Sequence, residues 1–240
     1  MIQIRTFVAP HDKEACEKFI IGHQKLLEIF GITKITSNRQ DWVDDENTVV
    51  ILVEHAETKA VYGGARLQIA TGEYELPIEI ALGKYDPKIY DMVRADRERG
   101  GTCELCGLWN SREVAGMGIG SYILARIGAV VAVQLPVNSI FVLCAPITVR
   151  MGKRVGAVVE ASLGNDGLFY YPKDDLIATA MRLRDIHDLQ HADKSEQEKI
   201  MSLRANNHQK LFERGPRGTF EVEYNLEIAN SDKWKSIRNR

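Results

Sequence analysis

The chain has 240 residues, of which 45% are hydrophobic and 27% charged, a balance typical of one large globular domain or of one domain with an appendage. Its 31 basic and 33 acidic residues give a net charge of −2, which argues against a nucleic-acid-binding surface. The longest apolar run, IGAVVAVQLPV, contains Gln134 and Pro136 and is too short to span a bilayer. The first residues show no signal-peptide pattern, so we expect a cytoplasmic protein that binds neither nucleic acid nor a membrane.

The first hundred residues predict a strand, a helix, a hairpin and a second helix. Residues 2–8 alternate weakly in hydrophobicity and favour a strand. Between Cys16 and Phe30, apolar residues recur every three or four positions, which predicts an amphipathic helix that ends at Gly31. The segments TVVILVEH and AVYGGARLQIA predict two strands joined by the turn AETK. LPIEIAL favours a short strand or turn, and DPKIYDMVRADRERG favours a helix that ends at Gly100.

The rest of the chain begins with a predicted strand over Thr102–Asn110, followed by a glycine-rich loop and a helix that starts near Gly118. SIFVLCA predicts another strand, PITVRMGKRVG a helix that opens on a proline, and AVVEASLG and GLFYYPK two short strands. Residues 175–212 are highly charged and predict helix, and GTFEVEYNLEIA predicts one last strand. We therefore expect an α/β fold with a mixed α+β sheet. Its core domain would cover residues 1–180, and residues 181–240 would form a C-terminal helix-strand extension packed on it or on a partner subunit.

Three glycines alternate in the loop before the central helix, at Gly116, Gly118 and Gly120. They remove side chains where backbone N–H groups would approach an anion, and the following helix presents the positive end of its dipole to the same place. Such a loop suits a diphosphate. A dinucleotide-binding fingerprint fits poorly, because the five residues SREVA separate Asn110, the last residue of the predicted strand, from the first glycine, and the next strand ends without an acidic residue. The same glycines would also serve close packing of the helix against the sheet.

The segment ELCGLWNSREVAGMGIGSYIL resembles the central motif of the GNAT (Gcn5-related N-acetyltransferase) superfamily. In that family a strand and a short loop lead to an R/Q-x-x-G-x-G/A turn, which holds the diphosphate of coenzyme A at a helix start. Gly118 and Gly120 fall on the two small positions, whereas Ala115 stands where arginine or glutamine is usual. The order of elements from residue 2 to about residue 172 is also similar to that of the family. The residues that the resemblance assigns to the cosubstrate are Leu108, Trp109, Asn110, Ala115, Gly116, Met117, Gly118, Ile119, Gly120 and Ser121.

The resemblance implies an N-acyltransferase that moves an acyl group, most often acetyl, from acetyl-CoA or another acyl-CoA directly to the amine of a small molecule or amino acid. The amine must first lose a proton, and Glu104, in the middle of the predicted strand, resembles the general base of some family members. A backbone N–H near the end of that strand would stabilise the oxyanion. Gly152 stands where the family often has a tyrosine, so Tyr170 or Tyr171 would protonate the leaving thiolate, unless both are core or lid aromatics.

Other functions stay open at this point. VYGGARLQ and LPIE are similar to the branch of N-acyl amino acid and acyl-homoserine-lactone synthases, which take long acyl chains, some of them from acyl carrier protein. The departures at Ala115 and Gly152 also fit a non-catalytic module that binds acyl-CoA. We expect no metal site, because His187 and His191 would share a helix face without an evident third ligand. The oligomeric state is open as well, and the C-terminal extension could form a homodimer.

Overall fold

The computed structural model describes residues 1–32, 35–114, 120–215 and 218–229, together with Ser231 and Trp234. Within these residues, ten strands form one sheet and six α-helices pack against it. The strands are β1 (Ile2–Val8), β2 (Thr48–His55), β3 (Val61–Ile69), β4 (Thr102–Asn110), β5 (Ser139–Cys144), β6 (Val158–Val159), β7 (Leu168–Tyr170), β8 (Ile177–Leu183), β9 (His208–Gly215) and β10 (Gly218–Asn225). The helices are α1 (Lys13–Ile29), α2 (Pro77–Leu82), α3 (Lys88–Gly100), α4 (Ser121–Ala132), α5 (Pro146–Arg154) and α6 (Lys194–Ala205).

The sheet is mixed, as the sequence predicts. Its strand order is β6–β8–β5–β4–β3–β2–β1–β10–β9, and β7 pairs with β8 beside that path. The pairs β1–β2, β2–β3 and β3–β4 are antiparallel. The pairs β4–β5 and β1–β10 are parallel. The α/β prediction with a mixed sheet is therefore confirmed.

Both faces of the sheet are covered by helices. On one face, here called the α4 face, Ile51 and Leu105 pack with Leu124 of α4. On the opposite face, here called the α1 face, Val50 packs with Phe19 of α1, and a neighbouring cluster is built on α2 and α3. Because both sides of the strand are buried, β2 is a continuous apolar run rather than an alternating one.

Strand β4 carries a bulge at Gly107. The pairing of β3 with β4 shifts by one residue between Gly64 and Arg66, so β4 has one residue more than its partner there. Gly107 has φ +59°, a left-handed conformation that glycine adopts without a Cβ clash. The extra residue reverses the alternation of the strand. Trp109 therefore packs on the α1 face, although Leu105, four residues earlier, packs on the α4 face.

The segment LPIEIAL is a helix, α2, and not the strand or turn that the sequence favours. Pro77 occupies the first turn, where its missing N–H costs no hydrogen bond. The carboxylate of Glu79 reaches back and accepts a hydrogen bond from the N–H of Leu76 at 2.7 Å. These two start signals outweigh the β propensity of the isoleucines.

The prediction of helix over residues 175–212 is wrong for its two ends. Residues Ile177–Leu183 form β8, which lies between β5 and β6 and buries most of its side chains. Residues from His208 onward form β9, a mostly exposed outer strand that pairs with β10. The extension thus adds two strands where the sequence predicts one. Sheet pairing, a tertiary effect, overrides the local helix preference of both stretches.

The C-terminal hairpin extends the sheet at β1. β10 pairs with β1 in parallel, from Ile2 with Val222 to Arg5 with Asn225. Below it, α6 packs on α4. The described part of the chain contains no helix with the length and hydrophobicity that a membrane-spanning segment needs.

Candidate active site

The parallel strands β4 and β5 pair over only three residues. Their ladder runs from Thr102 with Ser139 to Glu104 with Phe141 and goes no further, although β4 continues to Asn110. The bulge at Gly107 begins three residues after the ladder ends and turns β4 away from its regular course. Strands β4 and β5 therefore separate immediately beyond Glu104, and Glu104 is the last residue of β4 that pairs with β5.

Glu104 is a buried carboxyl group on the α1 face. Its side chain is 2% exposed, and its Oε2 accepts a hydrogen bond from the backbone N–H of Ile78 at 2.7 Å, in the first turn of α2. Burial raises the pKa of Glu104 to about 8, while the hydrogen bond from Ile78 and the charge of Arg66 act in the opposite direction. A carboxyl group with this pKa changes its protonation state in the range where amines also do.

The two candidate tyrosines lie in different surroundings. Tyr170 is 63% exposed, whereas Tyr171 is buried in the cluster that contains Ile78. The hydroxyl of Tyr171 accepts a hydrogen bond from the N–H of Thr36 at 2.8 Å and lies 2.9 Å from the Thr36 hydroxyl. Burial raises the pKa of Tyr171, and the charge of Glu104 adds to the rise. The structure thus brings Tyr171, but not Tyr170, toward Glu104.

Arg66 is a buried residue of this region that the sequence analysis missed. It lies on β3 with 1% of its surface exposed, and its Cζ is 4.8 Å from the ring centroid of Trp42. The alternation of β3 contains a signal for it: Ala65 and Leu67 face α4, so Arg66 and Gln68 must face α1. That signal is weak because the sequence does not show that the α1 face is covered at this point.

The end of β4 supplies the residues that the resemblance assigns to the cosubstrate. Leu108 is half-buried against the α4 core, and Trp109 is buried under α1, where its ring edge faces Phe19 at 6.0 Å between centroids. Asn110 pairs with Gly63 of β3. Gly63 leaves room for this pairing, because a Cβ there would lie 2.7 Å from the Trp109 carbonyl oxygen.

The glycine loop itself falls largely outside the described residues, which end at Val114 and resume at Gly120. Ala115, Gly116, Met117, Gly118 and Ile119 are therefore not placed. Gly120 forms the N-cap of α4, with Ser121 as the first helical residue. Among the residues that the structure describes, no side chain caps this helix, no acidic residue lies in its first turn, and no atom lies within 4 Å of a Cβ built on Gly120. The N–H groups of a helix start that lacks such a cap are suited to bind a diphosphate.

Other candidates contribute no chemistry here. Cys103 and Cys106 are buried free thiols, and burial raises the pKa of both, to about 12 for Cys106. His187 and His191 lie in an irregular segment, where Asp185 accepts from the N–H of His187, so they do not share a helix face. Among the described residues, no group of three or more His, Cys, Asp or Glu side chains is arranged to hold a metal ion.

A cavity of about 440 Å³ lies on the other side of the sheet from Glu104. Its lining residues are Met1, Ile2, His55, Tyr62, Glu113, Val114, Phe220 and Glu221. Several of them belong to the α4-face core or pack against it. The cavity adjoins the end of the β4–α4 connection at Val114 but contains none of the polar side chains on the α1 face.

A scan of protein-family models and a sequence search of curated proteins gave no significant match. Solved structures do match. FeeM, an N-acyl amino acid synthase from uncultured soil microbes, aligns with a TM-score of 0.61 and 12% identity over 82% of this chain and 97% of FeeM. BjaI, a CoA-dependent acyl-homoserine lactone synthase, aligns with a TM-score of 0.52 and 16% identity over 85% of this chain and 90% of BjaI. The chain has the GNAT-like fold.

A third solved structure also matches the fold of this chain. Escherichia coli ElaA aligns with a TM-score of 0.51 and 9% identity over 76% of this chain and 99% of ElaA. The resemblance predicted from the glycine-loop motif, including the weaker likeness to the synthase branch, is therefore confirmed for the fold. In this GNAT-like fold, the end of the β4–β5 ladder, the bulge and the start of α4 lie one after another along the chain.

Proposed function

We propose that this protein is an N-acyltransferase that moves an acyl group from coenzyme A to the amine of a small molecule by direct transfer. The observation that carries the proposal is the position of Glu104, a buried carboxyl group at the point where β4 separates from β5 in a GNAT-like fold. The chemistry needs a base that is shielded from bulk water, and the burial of Glu104 supports this role.

Glu104 would act as the general base. An ammonium group has no lone pair, so it must transfer a proton before its nitrogen can attack a thioester. The pKa of about 8 at Glu104 makes its carboxylate a stronger base than an exposed glutamate and brings its proton affinity closer to that of the amine. Because the carboxyl group is mostly protonated at pH 7, turnover should rise as the pH increases through about 8.

The backbone supplies the other interactions. Among the described residues, the ladder of β4 with β5 ends at Glu104, and the bulge at Gly107 reorients the peptide groups beyond it. We assign to this stretch the N–H that stabilises the oxyanion of the tetrahedral intermediate. The uncapped start of α4 would hold the diphosphate of coenzyme A, together with the glycine loop. Tyr171 is the tyrosine nearer to Glu104 and is our candidate proton donor to the thiolate.

Acetyl is the donor group that the packing supports. Ile78, Leu82 and Phe141 belong to one apolar cluster on the α1 face and are each at most 1% exposed. A short acyl group needs no cavity in this cluster. Transfer of a long chain is the second candidate, because the likeness to FeeM, an N-acyl amino acid synthase, covers 97% of that protein. We also propose that the protein acts in the cytoplasm and that its reaction uses no metal ion.

The test measures acyl transfer by the purified protein from acetyl-CoA, octanoyl-CoA or octanoyl-acyl carrier protein to a panel of primary amines. The rate is obtained from the release of the free thiol. Glu104→Gln should lower kcat by about 10²-fold or more while coenzyme A affinity, measured by calorimetry, stays unchanged. Glu79→Gln is the matched control, because it removes a neighbouring buried carboxylate but retains an oxygen that can accept from Leu76. Binding of coenzyme A without turnover of any amine would instead identify a non-catalytic binding module.

A further inference from the structure

Arg66 is a buried cation, and one of its three guanidinium nitrogens has no hydrogen-bond partner among the described residues. Its Nε donates to Oε1 of Gln68 at 3.1 Å, and its Nη2 donates to the carbonyl of Ser37 at 2.9 Å. Its Nη1 is buried and has no hydrogen-bond partner among the residues that the structure places. A buried guanidinium N–H without an acceptor is costly, so this nitrogen marks a position where an acceptor is expected.

The guanidinium also lacks a counter-ion. None of the ion pairs found within the described ranges includes Arg66. The titratable groups that its charge affects are the thiols of Cys16 and Cys106, the ring of His23 and Glu104. Burial raises the pKa of both thiols to about 12 and that of Glu104 to about 8, and it lowers the pKa of His23 to about 4. At pH 7 these groups are mainly uncharged, so the positive charge of Arg66 is not neutralised by them.

Arg5, another arginine on a strand of this sheet, offers a comparison for Arg66. It also projects from a strand, and its Cζ lies 4.7 Å from the ring centroid of Phe7, much as Arg66 lies against Trp42. Arg5, however, pairs with Asp12 at 2.9 Å and with Glu54 at 3.2 Å. Arg66 has the same kind of aromatic contact and a deeper position but no carboxylate.

The free nitrogen points to the bulge. A Cβ on Gly107 would lie 2.5 Å from Nη1 of Arg66, so only a residue without a side chain leaves that position open. On the paired strands, Arg66 stands opposite Cys106 and Gln68 stands opposite Glu104. Two residues along a strand correspond to about 7 Å, so the guanidinium and the candidate base lie on the same face at a spacing that one small molecule can bridge.

We infer that Arg66 binds a carboxylate of the acceptor, which makes the preferred acceptor an amino acid rather than a simple amine. The inference rests on the proposed function. A planar guanidinium matches a carboxylate in shape and charge, and the acceptor would supply the missing counter-ion while its ammonium group lies toward Glu104. Since Arg66 is enclosed by Ser37 and Trp42, the segment Thr36–Asp44 that carries them must move aside as the acceptor enters.

The first test needs no variant. With acetyl-CoA as donor, kcat/KM is measured for L-phenylalanine, L-phenylalaninamide and phenethylamine, and for the same sets built on tyrosine and leucine. We expect at least about 100-fold higher kcat/KM for the amino acid than for its two analogues in at least one set, because a buried donor rejects ligands that leave it unpaired. Equal rates for the three members of every set would overturn the inference and leave the N-acyltransferase proposal intact.

The second test assigns the preference to Arg66. Arg66→Gln should bring the ratio of amino acid to amide to about 1, mainly by raising KM for the amino acid, and Arg66→Lys should restore part of it. Arg5→Gln is the matched control and should keep the wild-type ratio. An unchanged ratio in a folded Arg66→Gln protein would also overturn the inference.

A binding experiment separates the two proposals. The thermal midpoint of wild-type protein is measured with 10 mM of each amino acid or its amide and no donor. Stabilisation by an amino acid but not by its amide supports the carboxylate site even if no amine is turned over, in which case the proposed function alone fails. Absence of stabilisation by every amino acid, together with absence of turnover, would reject both.

Discussion

At the scale of single residues, burial determines the chemistry of this site. Glu104 is surrounded by apolar side chains of α2 and β5, and the single hydrogen bond from Ile78 compensates only part of the loss of hydration. The same loss of hydration keeps the thiols of Cys103 and Cys106 protonated and His23 neutral. Arg66 lies buried on the same face of the sheet as Glu104.

The raised pKa of Glu104 predicts a pH dependence of stability. In the folded protein the carboxyl group keeps its proton up to about pH 8, whereas in the unfolded chain it loses it near the ordinary value of 4.5. The folded state therefore binds more protons between these values, and the free energy of unfolding should fall as the pH rises from about 4.5 to about 8. One such proton gives a slope of up to about 1.4 kcal/mol per pH unit.

Urea unfolding of wild type and Glu104→Gln at pH 5, 6.5 and 8 measures this effect. Glutamine has no proton to lose, so the difference in unfolding free energy, variant minus wild type, should increase with pH across this window. A difference that stays constant or decreases would show that Glu104 is ionised in the folded protein.

At the scale of the element, β4 combines a regular strand with a bulge at Gly107. Up to Glu104 it pairs on both sides, and from Gly107 onward it follows a shifted register against β3 and no longer pairs with β5. The bulge moves Trp109 to the α1 face, where it supports α1, and places the backbone of Gly107 beside Arg66. A regular strand of the same residues would send Trp109 into the opposite core.

Gly107→Ala should therefore destabilise the protein and disturb Arg66. An alanine at φ +59° costs about 1–2 kcal/mol of backbone strain, and its Cβ would press on Nη1 of Arg66 at 2.5 Å. We expect urea unfolding to show a loss of about 1–3 kcal/mol.

Gly120→Ala is the control for that substitution. Gly120 has φ −133°, which any residue adopts, and a Cβ there would lie more than 4 Å from every other described residue outside its chain neighbours. Its unfolding free energy should change by no more than about 0.5 kcal/mol. Equal stability of the two variants would contradict the strain assigned to the bulge.

At the scale of the whole molecule, a buried charge network joins the C-terminal extension to the sheet core. Arg126 of α4 is fully buried and donates to Glu196 of α6 at 2.7 Å and to Glu213 of β9 at 2.6 Å. The hydroxyl of Tyr224 on β10 donates to Glu213 at 2.9 Å, and Tyr122 donates to Glu196. Elements before and after residue 180 thus meet in one polar cluster. The division into a core domain (residues 1–180) and an extension (residues 181–240) stays a proposal, as does a homodimer formed through the extension.

Arg126→Met should destabilise the folded protein by about 3–5 kcal/mol, because it leaves two buried carboxylates without their shared cation. Urea unfolding measures the loss, and Arg126→Met combined with Glu196→Gln and Glu213→Gln should recover most of it. Arg94→Met is the matched control, since Arg94 is exposed and pairs with the exposed Asp91 on the surface. A loss as small as that of the control would show that the network contributes little.

The sequence by itself determined those features that depend on local pattern. Side-chain spacing predicts the helix α1 and the strand over Thr102–Asn110, because side-chain direction in a helix or strand repeats with a fixed period. The GNAT-like fold and Glu104 as the candidate base come from the resemblance of the motif that leads into α4 to the GNAT superfamily.

Only the tertiary structure decided where burial and pairing depend on distant segments. The residues Ile177–Leu183 became a strand because β5 offers a partner edge, and Gly107 became a bulge because β3 fixes the register on both sides of it. The burial of Arg66 also depends on distant segments of the chain. Its charge matters because Ser37, Trp42 and α1, far from it in the chain, enclose it without supplying a carboxylate.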